Sequence, residues 1–254
     1  MSALVLDERT RSKQKGADPQ CEIANTPKGD MEYFMEGEAP YVLVFHPTPG
    51  GCDSNIFSLL PTDPFHEAGF GTIAVSRPGY LGTPLETGQS MEQAADAYAA
   101  LLDVLGIDKV VLHSYSGGGP HAIQFAAKHP QRCFAMILTA SVSKHFSSPV
   151  WQSRIARWAA TSPTISRLGA WAARTFPGSM LKPTLQAVAT WGEEEMQVQM
   201  ARISESEENM AFLEAFSVLS LSSMKRRRIG YLNDMSLMTA EKLHCPPTKS
   251  SAQR

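Results

Sequence analysis

The chain is 254 residues long, 43% hydrophobic and 19% charged, with a formal net charge of -2 at pH 7. A chain of that length and apolar content can bury one sizeable core, with or without an inserted lid, which speaks against disorder of the whole. Its near-neutral charge gives no electrostatic footprint for nucleic acid and points instead to a small apolar or neutral partner.

Residues 1–19 mix Asp7, Glu8, Arg9, Arg11, Lys13 and Lys15 with few apolar residues, so this segment is expected to be disordered or frayed and is unlike a secretory signal. No apolar run reaches the length of about 20 residues that crosses a membrane. Cys21, Cys52, Cys133 and Cys245 show no C-x-x-C spacing, which indicates neither a zinc site nor a dense disulfide framework. A cytoplasmic location is the expectation.

Strands and helices then alternate from residue 20 to 144, the pattern of an α/β core built on a mostly parallel, doubly covered sheet. Gly29-Asp30 lies between Cys21–Asn25 and Met31–Met35, which predicts a hairpin turning there. Tyr41–Phe45 and Thr72–Val75 read as buried strands. Ser90 and Gln93 form a capping box, after which apolar residues repeat at helical spacing from Met91 to Leu105 until Gly106 stops the helix. Lys109–His113 reads as a strand, 117–129 as a helix closed by His129-Pro130, and Phe134–Leu138 as the next strand. From 145 to 240 the strand signals cease. Trp151–Ala160, Ile165–Thr175, Leu185–Trp191 and Met210–Leu221 predict an all-helical insertion, a cap enclosing an apolar pocket. Its tryptophans line that pocket or form core. Lys225-Arg226-Arg227-Arg228 reads as a solvated helix end.

The sharpest chemical signal is Leu112-His113-Ser114-Tyr115-Ser116-Gly117-Gly118-Gly119-Pro120, which follows a strand and opens a helix. A nucleophile elbow needs tiny side chains two residues before and after the serine, here Ser114 and Gly118 around Ser116. A phosphate-cradling loop would want Gly-Lys-Ser/Thr or a GxGxxG with a later acid, and neither is present. A second signal, Phe45-His46-Pro47-Thr48-Pro49-Gly50-Gly51, stands at the C-terminal end of a buried strand, where a parallel sheet presents its ligand crevice.

Together these segments resemble the α/β-hydrolase family. His46–Gly51 is similar to its oxyanion loop, Ser76–Pro84 to its loop after the fourth strand, and Ser114–Gly118 to its elbow. The resemblance is close over residues 29–145 and covers 145–240 only as a cap. It implies a cofactor-free, metal-free enzyme with Ser116 as nucleophile and the backbone N–H groups of Thr48 and Gly117 as oxyanion donors, each such donor accounting for about 10²–10³ in rate. Pro47 replaces the family's glycine but removes only its own N–H. A serine at the elbow implies acyl transfer on an ester, thioester, lactone or amide.

In the family, acid and histidine follow a seventh and an eighth strand. Here Leu243–Thr248 resembles the lead into a seventh strand, Lys249–Gln253 is polar, and residues 241–254 read as a truncated tail. The expectation is therefore impaired hydrolysis, since loss of the base from a serine triad costs about 10⁶ in turnover, or a non-catalytic binding protein that keeps the pocket. His145, after the sixth strand, is the in-chain surrogate base. His46, His113 and His121 read as packing residues, His129 and His244 as lying on the wrong edge, and Asp234 as a helix-terminus or solvent contact. Without later strands Phe134–Leu138 is a bare sheet edge, an invitation to self-association.

Overall fold

In the computed structural model the described residues are 21–54, 64–145, 153–221 and 224–239. The expectations for residues 1–19, for the tail 241–254 with His244 and Cys245, and for Trp151 lie outside them. Two compact units are distinguished, residues 1–157 with 226–254, and residues 158–225.

The first unit holds a six-stranded sheet in the order β1-β2-β4-β3-β5-β6. Its strands are β1 (Glu22–Thr26), β2 (Gly29–Glu36), β3 (Tyr41–Phe45), β4 (Gly71–Val75), β5 (Val110–Tyr115) and β6 (Cys133–Thr139). β1 and β2 pair antiparallel, as do β2 and β4, while β3 runs parallel to β4 and β5, and β5 parallel to β6. The hairpin turns at Pro27-Lys28 instead of Gly29-Asp30: Gly29, at φ 115, already pairs with Thr26. The Thr26 hydroxyl donates to the Gly29 carbonyl at 2.7 Å and accepts the Lys28 N–H at 3.1 Å, so a side chain closes the turn two residues early.

Helix α1 (Met91–Val104) opens with the capping box at Ser90 and Gln93 and ends before Gly106 at φ 68. Its Ala94, Ala95, Tyr98, Leu101 and Leu102 share one core with Leu43, Phe45, Ile73, Val75 and Leu112 of the sheet and Ala122 and Phe125 of α2 (Gly119–Lys128). Alanines at the facing positions let this helix lie close on the sheet. A disulfide joins Cys21, just before β1, to Cys52, in the loop after β3, with Cα atoms 6.5 Å apart. The 31-residue separation left no local trace of it in the cysteine spacing.

At the far side β6 is the terminal strand among the described residues. Phe134 is 66% exposed, and Ile137 and Leu138 are also exposed.

The second unit is helical. The chain runs through α3 (Arg154–Thr161), α4 (Pro163–Thr175), α5 (Leu181–Val188), α6 (Glu193–Ser204) and α7 (Glu207–Leu221), and α8 (Met224–Thr239) then carries it back into the first unit. Ser162 caps α4 by accepting the Ile165 N–H, with Pro163 at the first helical position. The absence of a side chain at Gly169 lets Leu221 of α7 approach α4 closely. Helix α6 was not legible as a helix. Its Glu193, Glu194 and Glu195 occupy the first turn, where negative charge meets the positive end of the helix dipole. Trp158, Trp171 and Trp191 are exposed, so these three are not core residues. No helix among the described residues is long and apolar enough to cross a membrane.

Candidate active site

β5 delivers the elbow. Tyr115 is extended at φ -123 and ψ 150, Ser116 turns into the left-handed region at φ 43, and α2 begins at Gly119. A non-glycine residue there is strained, and such strain persists only where surrounding packing dictates it. That packing is visible. A Cβ on Gly118 would meet the Phe45 and His46 carbonyl oxygens, one on Gly119 would meet the Val142 carbonyl, and one on Gly117 would meet the Thr48 side chain. Ser114, in place of the motif's first glycine, is buried and pairs its hydroxyl with Ser141 Oγ at 2.9 Å. Ser116 alone of the turn is exposed.

The loop leaving β3 brings Thr48 beside Gly117. His46, at its start, is wholly buried: its Nε2 accepts the Arg77 backbone N–H at 3.1 Å, which leaves Nδ1–H to donate to the Pro47 carbonyl at 2.7 Å. Burial, with the Arg77 charge beside it, holds its pKa well below the usual histidine range, so the ring is neutral.

Beneath both loops lies a buried polar cluster that sequence reasoning missed. Arg77 Nη1 meets Asp234 Oδ2 at 2.7 Å and donates to the Gly117 carbonyl at 3.0 Å. Its Nη2 donates to the Pro47 carbonyl at 3.1 Å and to Thr48 Oγ1 at 2.8 Å. Asp234 Oδ2 accepts the Thr48 hydroxyl at 2.9 Å and the Tyr80 hydroxyl at 2.6 Å, and Oδ1 lies 3.4 Å from His121 Nε2. Burial alone would raise the Asp234 pKa, but the Arg77 charge, with His121 and Tyr80, outweighs it and holds the carboxyl below its ordinary value. Burial lowers the His121 pKa against the pull of Asp234, and its Nδ1 lies 2.8 Å from the Tyr98 hydroxyl.

Asp234 is thus 1% exposed and not a solvent contact. Its helix is held close by two glycines: the Gly230 N–H donates to the Gly79 carbonyl at 2.8 Å, and a Cβ on Gly230 would strike the Tyr80 ring. The basic run is also not a wholly solvated helix end. Arg227 is buried and reaches Asp53 Oδ2 at 2.6 Å and Ser54 Oγ at 2.9 Å. Arg227, Gly230, Asp234 and Met238, at i, i+3, i+7 and i+11, are all on the buried side of α8. That spacing was the signal available in the sequence.

The other histidines are set apart. His113 Nε2 lies 3.0 Å from Thr139 Oγ1, and His129 Nε2 lies 3.0 Å from Asp96 Oδ1. His145 is half-buried on the loop after β6, whose Val142 N–H donates to the Ser116 carbonyl at 2.7 Å. Its Nδ1 is buried without a hydrogen-bond partner among the described residues. No group of His, Cys, Asp and Glu among the described residues is placed to hold a metal ion.

A family profile for the alpha/beta hydrolase fold matches residues 40–164. The chain is 36% identical over 121 residues to the uncharacterized hydrolase YcgS of Bacillus subtilis (strain 168), covering 48% of this chain and 41% of that one. It is 32% identical over 113 residues to 2-hydroxy-6-oxo-6-phenylhexa-2,4-dienoate hydrolase of Comamonas testosteroni, covering 42% of this chain and 38% of that one. It therefore spans about two fifths of the length of these curated relatives. Among solved structures, an alpha/beta hydrolase fold protein from Nakamurella multipartita superposes with a TM-score of 0.72 at 29% identity, over 87% of this chain and 74% of that one. With this strand order, a profile match over about half of its length and this superposition, the chain has the α/β-hydrolase fold.

Proposed function

We propose that the chain is a serine hydrolase acting on a small ester, thioester, lactone or amide through an acyl-enzyme. Ser116 Oγ attacks the carbonyl carbon, and the displaced electron pair collects on the carbonyl oxygen, which the N–H groups of Thr48 and Gly117 stabilise. Collapse expels the leaving group, which takes up the proton lost by Ser116, and water then releases the acid from the ester on Ser116. The observation that carries this reading is Ser116 itself, exposed at φ 43 at the C-terminal tip of β5. Thr48 packs against the residue that follows it.

A second reading, a binding protein that keeps the fold without turnover, is favoured by a different observation. Among the described residues no side chain hydrogen-bonds the Ser116 hydroxyl, so none of them stands in place as its general base. His145 is the surrogate base to test. A fluorophosphonate probe separates the readings: the hydrolase labels and Ser116→Ala does not, whereas folded wild-type protein that stays unlabelled overturns the hydrolase reading.

The exposed apolar edge of β6 supports pairing with a second copy of the chain. The Cys21–Cys52 disulfide weighs against the cytoplasmic location expected from the sequence, because such bonds persist in oxidising compartments.

A further inference from the structure

We propose that the buried Arg77–Asp234 pair is the frame that aims the two oxyanion donors, with Arg77 and Asp234 as positioning residues that never touch substrate. This rests on the serine-hydrolase reading for its consequence in rate, but the geometry that carries it stands on hydrogen bonds alone.

A trans peptide is planar, so its N–H points away from its C=O, and whatever grips the carbonyl aims the amide. The Thr48 N–H shares a peptide with the Pro47 carbonyl. Arg77 Nη2 grips that carbonyl at 3.1 Å and His46 Nδ1 grips it at 2.7 Å, both from buried side chains. The Gly117 N–H shares a peptide with the Ser116 carbonyl, which accepts the Val142 N–H at 2.7 Å. The next carbonyl along, that of Gly117, accepts Arg77 Nη1 at 3.0 Å. One guanidinium therefore holds both chain segments that bear the donors, and its rigid fork sets the distance between them.

Asp234 does two things for this fork. It supplies the opposite charge that a wholly buried guanidinium requires, at 2.7 Å. It also accepts the Thr48 hydroxyl at 2.9 Å, so the donor residue is held from its side chain as well as through its peptide. Tyr80, donating at 2.6 Å, and His121, at 3.4 Å, fix the carboxylate in turn. Helix α8 thereby supports a loop 186 residues earlier in the chain.

The test uses the full chain with two readouts, the second-order rate of fluorophosphonate labelling and the amide hydrogen exchange of Thr48 and Gly117. Arg77→Lys keeps the charge but cannot grip both carbonyls, and Thr48→Val removes the hydroxyl tie while leaving Arg77 paired with Asp234. Lys128→Ala, on an exposed pair with Asp96, is the control. We expect labelling to slow by about 10²-fold in Arg77→Lys, the lower end of the roughly 10²–10³ lost on removing one oxyanion donor, and by about 10-fold, less than that loss, in Thr48→Val. Thr48 exchange should accelerate at least as much relative to the core strands, and the control should leave both readouts unchanged. Folded Arg77→Lys that labels and exchanges like wild type overturns the proposal. If Arg77→Lys does not fold, Thr48→Val decides by the same criterion. If wild-type protein does not label at all, the hydrolase reading fails by itself, and exchange alone decides the frame: acceleration confined to the two amides keeps it, and none removes it.

Discussion

Two regions of one sheet have been finished in opposite ways. At the C-terminal tips of β3, β4 and β5 the charged Arg77 and Asp234 are buried and tied to each other and to backbone carbonyls and hydroxyls, and the glycines of the elbow admit no side chain. Along β6 apolar side chains lie open on the outermost strand among the described residues. Charge inside and carbon outside reverse the ordinary distribution, and each reversal teaches something different. The buried charges persist because each is the other's partner, so damage there should appear as lost stability. The bare edge lacks a partner among the described residues, so changes there should appear as altered association.

The largest expected effect comes from breaking the buried pair on one side only. Asp234→Ala leaves the Arg77 guanidinium buried and unpaired, which should destabilise the protein by about 3–5 kcal/mol. Arg77→Met combined with Asp234→Leu removes both charges and should recover part of that loss, the rest remaining because the Thr48 and Tyr80 hydroxyls and the Gly117 carbonyl lose these partners. Urea unfolding of the three proteins checks this, and a double variant no more stable than Asp234→Ala would mean that the pair is holding shape in a way apolar residues cannot.

How far this contrast was legible in the sequence depends on burial. Apolar runs such as Tyr41–Phe45 signal buried strands directly, and the tight turn from β5 into α2 announced itself through glycines whose need is steric. The capping box at Ser90 likewise stood as read. Asp234 and Arg227 were hidden because a charge on a helix is ordinarily solvated, and only its spacing against Gly230 and Met238 says otherwise. The Cys21–Cys52 bond was hidden for another reason, since it depends on where β1 and the loop after β3 meet. Long-range pairings of this kind leave nothing in local periodicity to read.

A smaller, graded effect follows from pH. His46 and His121 are buried with pKa values lowered first by desolvation. The unfolded chain therefore binds protons near 6.5 that the folded chain refuses, and stability should fall as pH drops below about 6.5, by up to about 1.4 kcal/mol per pH unit for each histidine. Asp234, held below its ordinary value, adds a further loss only below about pH 4, as its carboxyl protonates. Unfolding midpoints between pH 8 and 3 check the sign. His121→Gln should flatten the upper part of the curve, and a midpoint that rises on acidification to pH 5 would contradict the lowered pKa of both rings.

The smallest change in stability, and the clearest in association, is expected at β6. Phe134 is 66% exposed, and Lys109 Nζ lies 5.7 Å from its ring centre. Phe134→Glu gives up little buried surface and places a carboxylate near that ammonium, so folding stability should move by no more than about 0.5 kcal/mol. The same substitution sets a charge along the open strand, the device by which natural sheet edges discourage pairing. Light scattering across a concentration series should show wild-type protein growing in mass while Phe134→Glu stays monomeric. Both proteins staying monomeric at every concentration would mean that the edge is already protected, and the contrast between the two ends of the sheet would then be one of composition without consequence for assembly.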